Sequence, residues 1–206
     1  FAGASKILHN ALQATPDNLN ARGVLMVVEE YLGDRKASSA VYEAGEALQP
    51  YPAWWGDVTG VWLALGRNDQ DYLLQAVENY PAYLLLPILQ VLGDREVALS
   101  RLRLIQQDAD KRPPAQLINA AMFAAWYGDQ TLALDLLATG LAHNWISLYI
   151  VWLPVFDDLR KEEGFRQLLS ASGIVDYWRT QGWPSTCQPL SDEQFECRWS
   201  AVTSHH

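Results

Sequence analysis

The residue types that could do chemistry are few and poorly placed. Asp157-Asp158 and Glu162-Glu163 are paired carboxylates, the raw material of acid/base catalysis or of a cation site. Neighbouring residues on a helix diverge, and no histidine stands close to either pair. Helix N-terminal charge and a solvated face account for them better. His9 and His143 are isolated, and each reads as a packed or surface imidazole; a pH-sensing role would need a buried carboxylate beside it. Cys187, Cys197, His205 and His206 have the residue types of a zinc site at a spacing that matches no established finger, and the terminal His pair is set aside as a natural end or a tag remnant. No phosphate-binding loop, glycine-rich dinucleotide turn, nucleophile elbow or His-Glu-x-x-His occurs. The chain is therefore expected to have no catalytic residue, no metal and no cofactor, and not to be an enzyme.

Those groups need elements to position them, and the clearest signal of elements is a recurring turn. Leu32-Gly33-Asp34, Val91-Leu92-Gly93-Asp94 and Tyr127-Gly128-Asp129 each close an apolar run, and a small residue follows five positions after the glycine: Ser38, Ala98 and Ala133. Leu65-Gly66-Arg67-Asn68 is a looser copy, with Asp71 at the small position. The glycines at 33, 66, 93 and 128 are spaced by 33, 27 and 35 residues. A turn repeated at that period is the sequence mark of stacked helical hairpins. No segment alternates with period two, so the predicted fold is all-α: a right-handed superhelix of antiparallel helical hairpins, a tetratricopeptide-like solenoid with a C-terminal helical cap.

Residues 4–16 carry Ala4, Leu8, Ala11, Leu12 and Pro16 at the spacing of a hairpin's second helix. The chain is accordingly expected to begin inside a repeat and to be a piece of something longer. Asp17 or Asn18 caps the next helix, which runs to Gly33, and its partner extends through Leu48 to Pro50. A third hairpin puts Val58, Val61, Trp62 and Leu65 inward. The fourth pairs residues 84–92 with a helix carrying Ala98, Leu99, Leu102 and Ile105. The fifth sets Ala120 and Ala121 against the helix starting at Leu132, with those alanines at the closest approach. The repeats are assigned to residues 1–144, capping helices to 145–187 and a tail to 188–206, with a turn at Gly173 inside the cap.

Half of the 206 residues are apolar, enough for a sizeable core, and the net charge of −9 argues against gripping a phosphate backbone. No run of eighteen apolar residues is present. Cys187 and Cys197, ten residues apart, can close a small loop that would stabilise the tail by roughly 2–3 kcal/mol and imply an oxidising compartment. The alternative is two free thiols in a cytosolic protein. No other cysteine competes for either partner, which favours the bridge.

A hairpin stack binds peptides, partner domains or copies of itself, usually on the face lined by first helices. The candidate partner-binding residues there are Arg22, Glu29, Trp54, Tyr83, Gln116 and Asn119. Trp55 and Trp62, seven apart on one helix face, are expected in the core, and Tyr80-Pro81-Ala82-Tyr83 marks a shortened turn.

The cap resembles a known block. Pro154-Val155-Phe156-Asp157-Asp158-Leu159-Arg160-Lys161, then Gly164-Phe165-Arg166-Gln167-Leu168-Leu169, then Gly173-Ile174-Val175-Asp176-Tyr177-Trp178, then Gly182-Trp183-Pro184 and Cys187 are similar to the C-terminal end of helical-repeat regions in bacterial signalling proteins. These include membrane-bound winged-helix transcription activators of the CadC/ToxR type and relatives joined to cyclase domains. The family's proline before the Phe is replaced here, in Glu162-Glu163-Gly164-Phe165. The resemblance covers about residues 152–187. It implies a DNA-binding domain and one membrane helix before Phe1, and a periplasmic sensory role for this segment, which itself binds no nucleic acid. That role agrees with a bridged tail. The alternatives are a free-standing, cytoplasmic tetratricopeptide adaptor and the regulatory region of a nucleotide cyclase.

Overall fold

Four helix starts are made by a side chain that supplies what the backbone lacks. Asn18, Asp34, Asp94 and Asp129 accept the backbone N–H of Ala21, Ala37, Val97 and Leu132 at 3.0, 2.9, 3.1 and 3.1 Å. Each such cap stabilises its helix by about 1 kcal/mol. In the computed structural model, which describes residues 1–48, 55–79, 85–143, 145–184, 187–191 and 194–197 (the backbone alone at 56, 57, 145 and 146), these caps open α2 (Leu19–Leu32), α3 (Arg35–Glu46), α7 (Arg95–Gln107) and α9 (Gln130–Ala142). The remaining helices are α1 (Ala2–Ala14), α4 (Val61–Arg67), α5 (Gln70–Asn79), α6 (Leu86–Leu89), α8 (Pro114–Trp126), α10 (Glu163–Ala171) and α11 (Ile174–Gln181). A π-helical turn, Trp55–Gly60, leads into α4.

Gly33 and Gly128 both take the left-handed conformation, with φ of 80°, which ends one helix so that the following Asp can start the next. The third turn is displaced from its expected place. Gly66 lies inside α4, and Asn68 takes the positive φ of 56° while Asp69 accepts the N–H of Tyr72 at 3.0 Å. Asn tolerates this conformation through local hydrogen bonding, so Asn68-Asp69 does the work of Gly-Asp. Five residues past Asn68 stands fully buried Leu73, and Asp71 is exposed. Ser38, Ala98 and Ala133, at the same offset from their turns, are likewise fully buried.

The hairpins α2–α3, α4–α5 and α8–α9 are each packed along their lengths. α8 is apolar on nearly all sides, burying Leu117 to Ala125 without interruption, as a helix covered on every face must. Ala120 and Ala121 are fully buried, and α9 comes close at Gly140, where an added Cβ would sit 2.9 Å from Ile118 and 3.1 Å from the Pro114 carbonyl. The fourth hairpin departs from expectation: its first helix is the single turn α6, opened by Pro87 at its second residue. α3 also stops at Glu46 rather than Leu48.

Beyond α9 the chain adopts short 3-10 segments, Trp145–Trp152, Pro154–Phe156 and Leu159–Lys161. They do more than cover an end. The first packs on α2 and α9, and the second on α4 and α8, so the segment runs back along first helices of three hairpins. Val151, Leu153, Phe156 and Leu159 are fully buried there. After α10 and α11, turned at Gly173 with φ 77°, the tail forms a two-stranded antiparallel hairpin, β1 (Cys187–Pro189) and β2 (Phe195–Cys197). Strands of three residues are too short to show alternation, which is why an all-α reading missed them. Cys187 faces Cys197 across the pair, and the two form a disulfide. Phe195 docks the hairpin against Trp178 and Trp183, with ring centroids 6.3 and 5.7 Å away. The described fold is thus mostly helical with one small sheet, and no described helix is long and apolar enough to cross a membrane.

Candidate interaction surface

The face lined by α2, α4 and α8, where first-helix residues would meet a ligand, is occupied by the chain's own 3-10 segment. Arg160 fastens it. Its guanidinium is 4 % exposed, donates from Nη1 to the carbonyls of Val151 and Leu153 at 2.8 and 3.0 Å, pairs with Asp157, and lies 5.9 Å over the ring of Tyr31. Burial pushes its pKa down, and the Asp157 charge opposes that shift. Trp152 packs edge-on against Tyr31 and Phe1, at 5.7 and 5.3 Å. Pro154 lies over Gly66, 3.3 Å from where a Cβ would be, so the glycine of the looser turn serves this contact instead of a turn.

Two residues expected on a binding surface are part of the interior. Asn119 is 2 % exposed; its Oδ1 accepts the indole N–H of Trp62 at 2.8 Å and its Nδ2 donates to the Ala115 carbonyl at 2.7 Å. A polar side chain on a first helix reads as a contact residue in sequence, but here α4 reaches across to use it. Glu29 is buried where α1 meets α2, accepts the Ser5 hydroxyl at 2.6 Å and lies 3.9 Å from His9 Nδ1. Gln116 is half-buried in the first turn of α8. Trp54 and Tyr83, with the Tyr80–Tyr83 turn, fall outside the described residues. Trp55 and Trp62 are both buried, as their spacing predicts; Trp55 stacks on Tyr42 at 6.1 Å over Gly45.

Arg22 remains at the surface. It is half-buried, and it anchors its guanidinium on the Pro16 carbonyl, from Nε at 3.0 Å and Nη2 at 2.6 Å. It stands on the rim of a groove of about 440 Å³ between α1, α2 and α3, open to solvent and floored by Leu12, Leu25 and Val41. A smaller depression, about 220 Å³, lies between α3 and α4–α5. There the Tyr42 and Tyr72 hydroxyls are 3.2 Å apart, and Arg67 binds buried Glu30 and the Ser39 hydroxyl at 2.9 Å. Those contacts tie α2, α3 and α4 together, and sequence spacing gave no sign of them.

Three of the four paired carboxylates are matched to a cation three residues on: Asp157 to Arg160, Asp158 to Lys161 at 2.6 Å, and Glu163 to Arg166. Desolvation raises the Asp157 carboxyl above its ordinary value, against the pull of Arg160. Among the described residues none of these groups pairs with a histidine. The two thiols are bonded to each other. The chain matches no family model, no curated protein and no solved structure.

Proposed function

We propose that this chain is a non-catalytic interaction and sensory domain, a tetratricopeptide-like right-handed superhelix belonging to a membrane-bound winged-helix transcriptional regulator. It binds a protein or peptide partner, or pairs with itself, and so biases the DNA-binding end across the membrane. The observation that carries the reading is the turn that recurs at Gly33, Asn68 and Gly128, each followed by an aspartate cap and, at a constant offset, a fully buried residue. Repetition of one hairpin builds an extended surface for recognition. The resemblance of the cap supplies the regulator, and the Cys187–Cys197 disulfide is compatible with a periplasmic location.

Trapping thiols in intact cells with an alkylating reagent tests the compartment: the two cysteines should be blocked from alkylation until reduced, and fully reactive thiols would sink the periplasmic reading. Reading the coding sequence upstream of Phe1 tests the rest. A winged-helix domain followed by an apolar span supports the regulator. Further repeats leading back to a start codon would make the protein an adaptor, and a cyclase domain would make this its regulatory region.

A further inference from the structure

We infer that the α1–α2–α3 groove is the partner site, and that it takes a short amphipathic peptide helix carrying one or two carboxylates. This rests on the interaction-domain reading and names the site and the partner chemistry. The first-helix face cannot serve, because Ile150, Val151, Leu153, Phe156 and Leu159 fill it and are as buried as any side chain in the core. The groove is different: its floor of Leu12, Leu25 and Val41 comes from three separate helices, and it is open to solvent over about 440 Å³. A trough that open cannot enclose a small molecule, whereas a helix laid in it buries an apolar stripe.

Charge selects the partner. The chain carries −9 overall, yet the ionisable side chains lining this groove are Arg22 and His9. The carboxylate nearest His9, Glu29, lies 3.9 Å behind it, buried and engaged by Ser5. Arg22 meets no carboxylate among the described residues; its two hydrogen bonds to Pro16 hold the guanidinium in place at the rim. A fixed guanidinium beside an apolar floor is matched by a carboxylate beside apolar side chains. The acidic surroundings oppose a longer acidic run, so the peptide carries few charges.

Selection of a displayed library of random short peptides against the purified 206-residue chain tests this, followed by titration of the enriched peptides. Enrichment of peptides pairing apolar residues at helical spacing with a Glu or Asp is the expected result. Arg22→Glu should weaken their binding by about tenfold or more, and a Glu→Lys peptide should recover it. Arg22 also steadies the turn at Pro16, so Ala40→Trp gives an independent check: Ala40 is exposed on the groove wall, and the indole fills the trough without disturbing the core. Binding unchanged by both substitutions, or enrichment of neutral or basic peptides, would overturn the groove assignment while leaving an interaction domain. No enrichment at all would overturn both.

Discussion

The indole N–H of Trp62 and the side-chain oxygen of Asn119, fifty-seven residues apart, meet at 2.8 Å in the interior and join α4 to α8. Both partners are buried, so removing one takes this hydrogen bond from the other's polar atom in an apolar setting. Asn119→Ala should therefore cost about 1–3 kcal/mol in a urea titration. Replacing both, as Trp62→Phe with Asn119→Leu, should cost less than the sum of the single changes. Strict additivity would show that the bond contributes nothing of its own.

Arg160 and Asp157 form an ion pair of unequal partners, one 4 % exposed and the other 53 %. Removing the guanidinium strands the Val151 and Leu153 carbonyls as well as the charge. Arg160→Ala is expected to destabilise by roughly 2–4 kcal/mol and Asp157→Asn by under about 1 kcal/mol. Equal losses in the two variants would mean that the pair, and not the carbonyl contacts, holds the 3-10 segment.

Tyr127 sets an alkaline limit. Its hydroxyl donates to the Leu92 carbonyl at 2.9 Å, and burial, with the Asp94 charge second, pushes its pKa up from 10.0 to about 12. The fold favours the neutral phenol. That contribution is fully present below pH 10 and is lost as pH rises through about 12, at most roughly 2–3 kcal/mol. Urea midpoints measured across that window should fall in the natural protein and fall less in Tyr127→Phe. Parallel slopes would assign the loss to another group.

The disulfide stabilises the tail hairpin locally. Its ten-residue separation corresponds to roughly 2–3 kcal/mol of loop-closure entropy. Reduction should loosen the hairpin and change the emission of Trp178 and Trp183, which Phe195 contacts, while the helical circular dichroism persists. Collapse of the helical signal on reduction would show instead that the hairpin is integral to the core.

Short-range signals in this chain were legible from residues alone. A glycine that ends a helix and an aspartate that starts the next act within a few positions, so Gly33-Asp34 and Gly128-Asp129 announced their hairpins, and the Trp55–Trp62 spacing announced its buried face. The Asn68 turn was read two residues early because Gly66 looked like its glycine. That residue answers to Pro154, almost ninety positions away, and no local pattern carries such a contact.

The surface was less legible for the same reason. Glu29 and Asn119 are polar residues on first helices, and only the approach of Ser5 and Trp62 decided that they lie inside. Residues 145–161 have no α-helical period to read, and their course along α2, α4 and α8 rests on packing against helices distant in the chain. Helices and turns follow from backbone hydrogen bonding and conformational preference, which are properties of neighbouring residues. The occupant of a face follows from burial among distant ones, so the tertiary structure alone determined which groove stayed open.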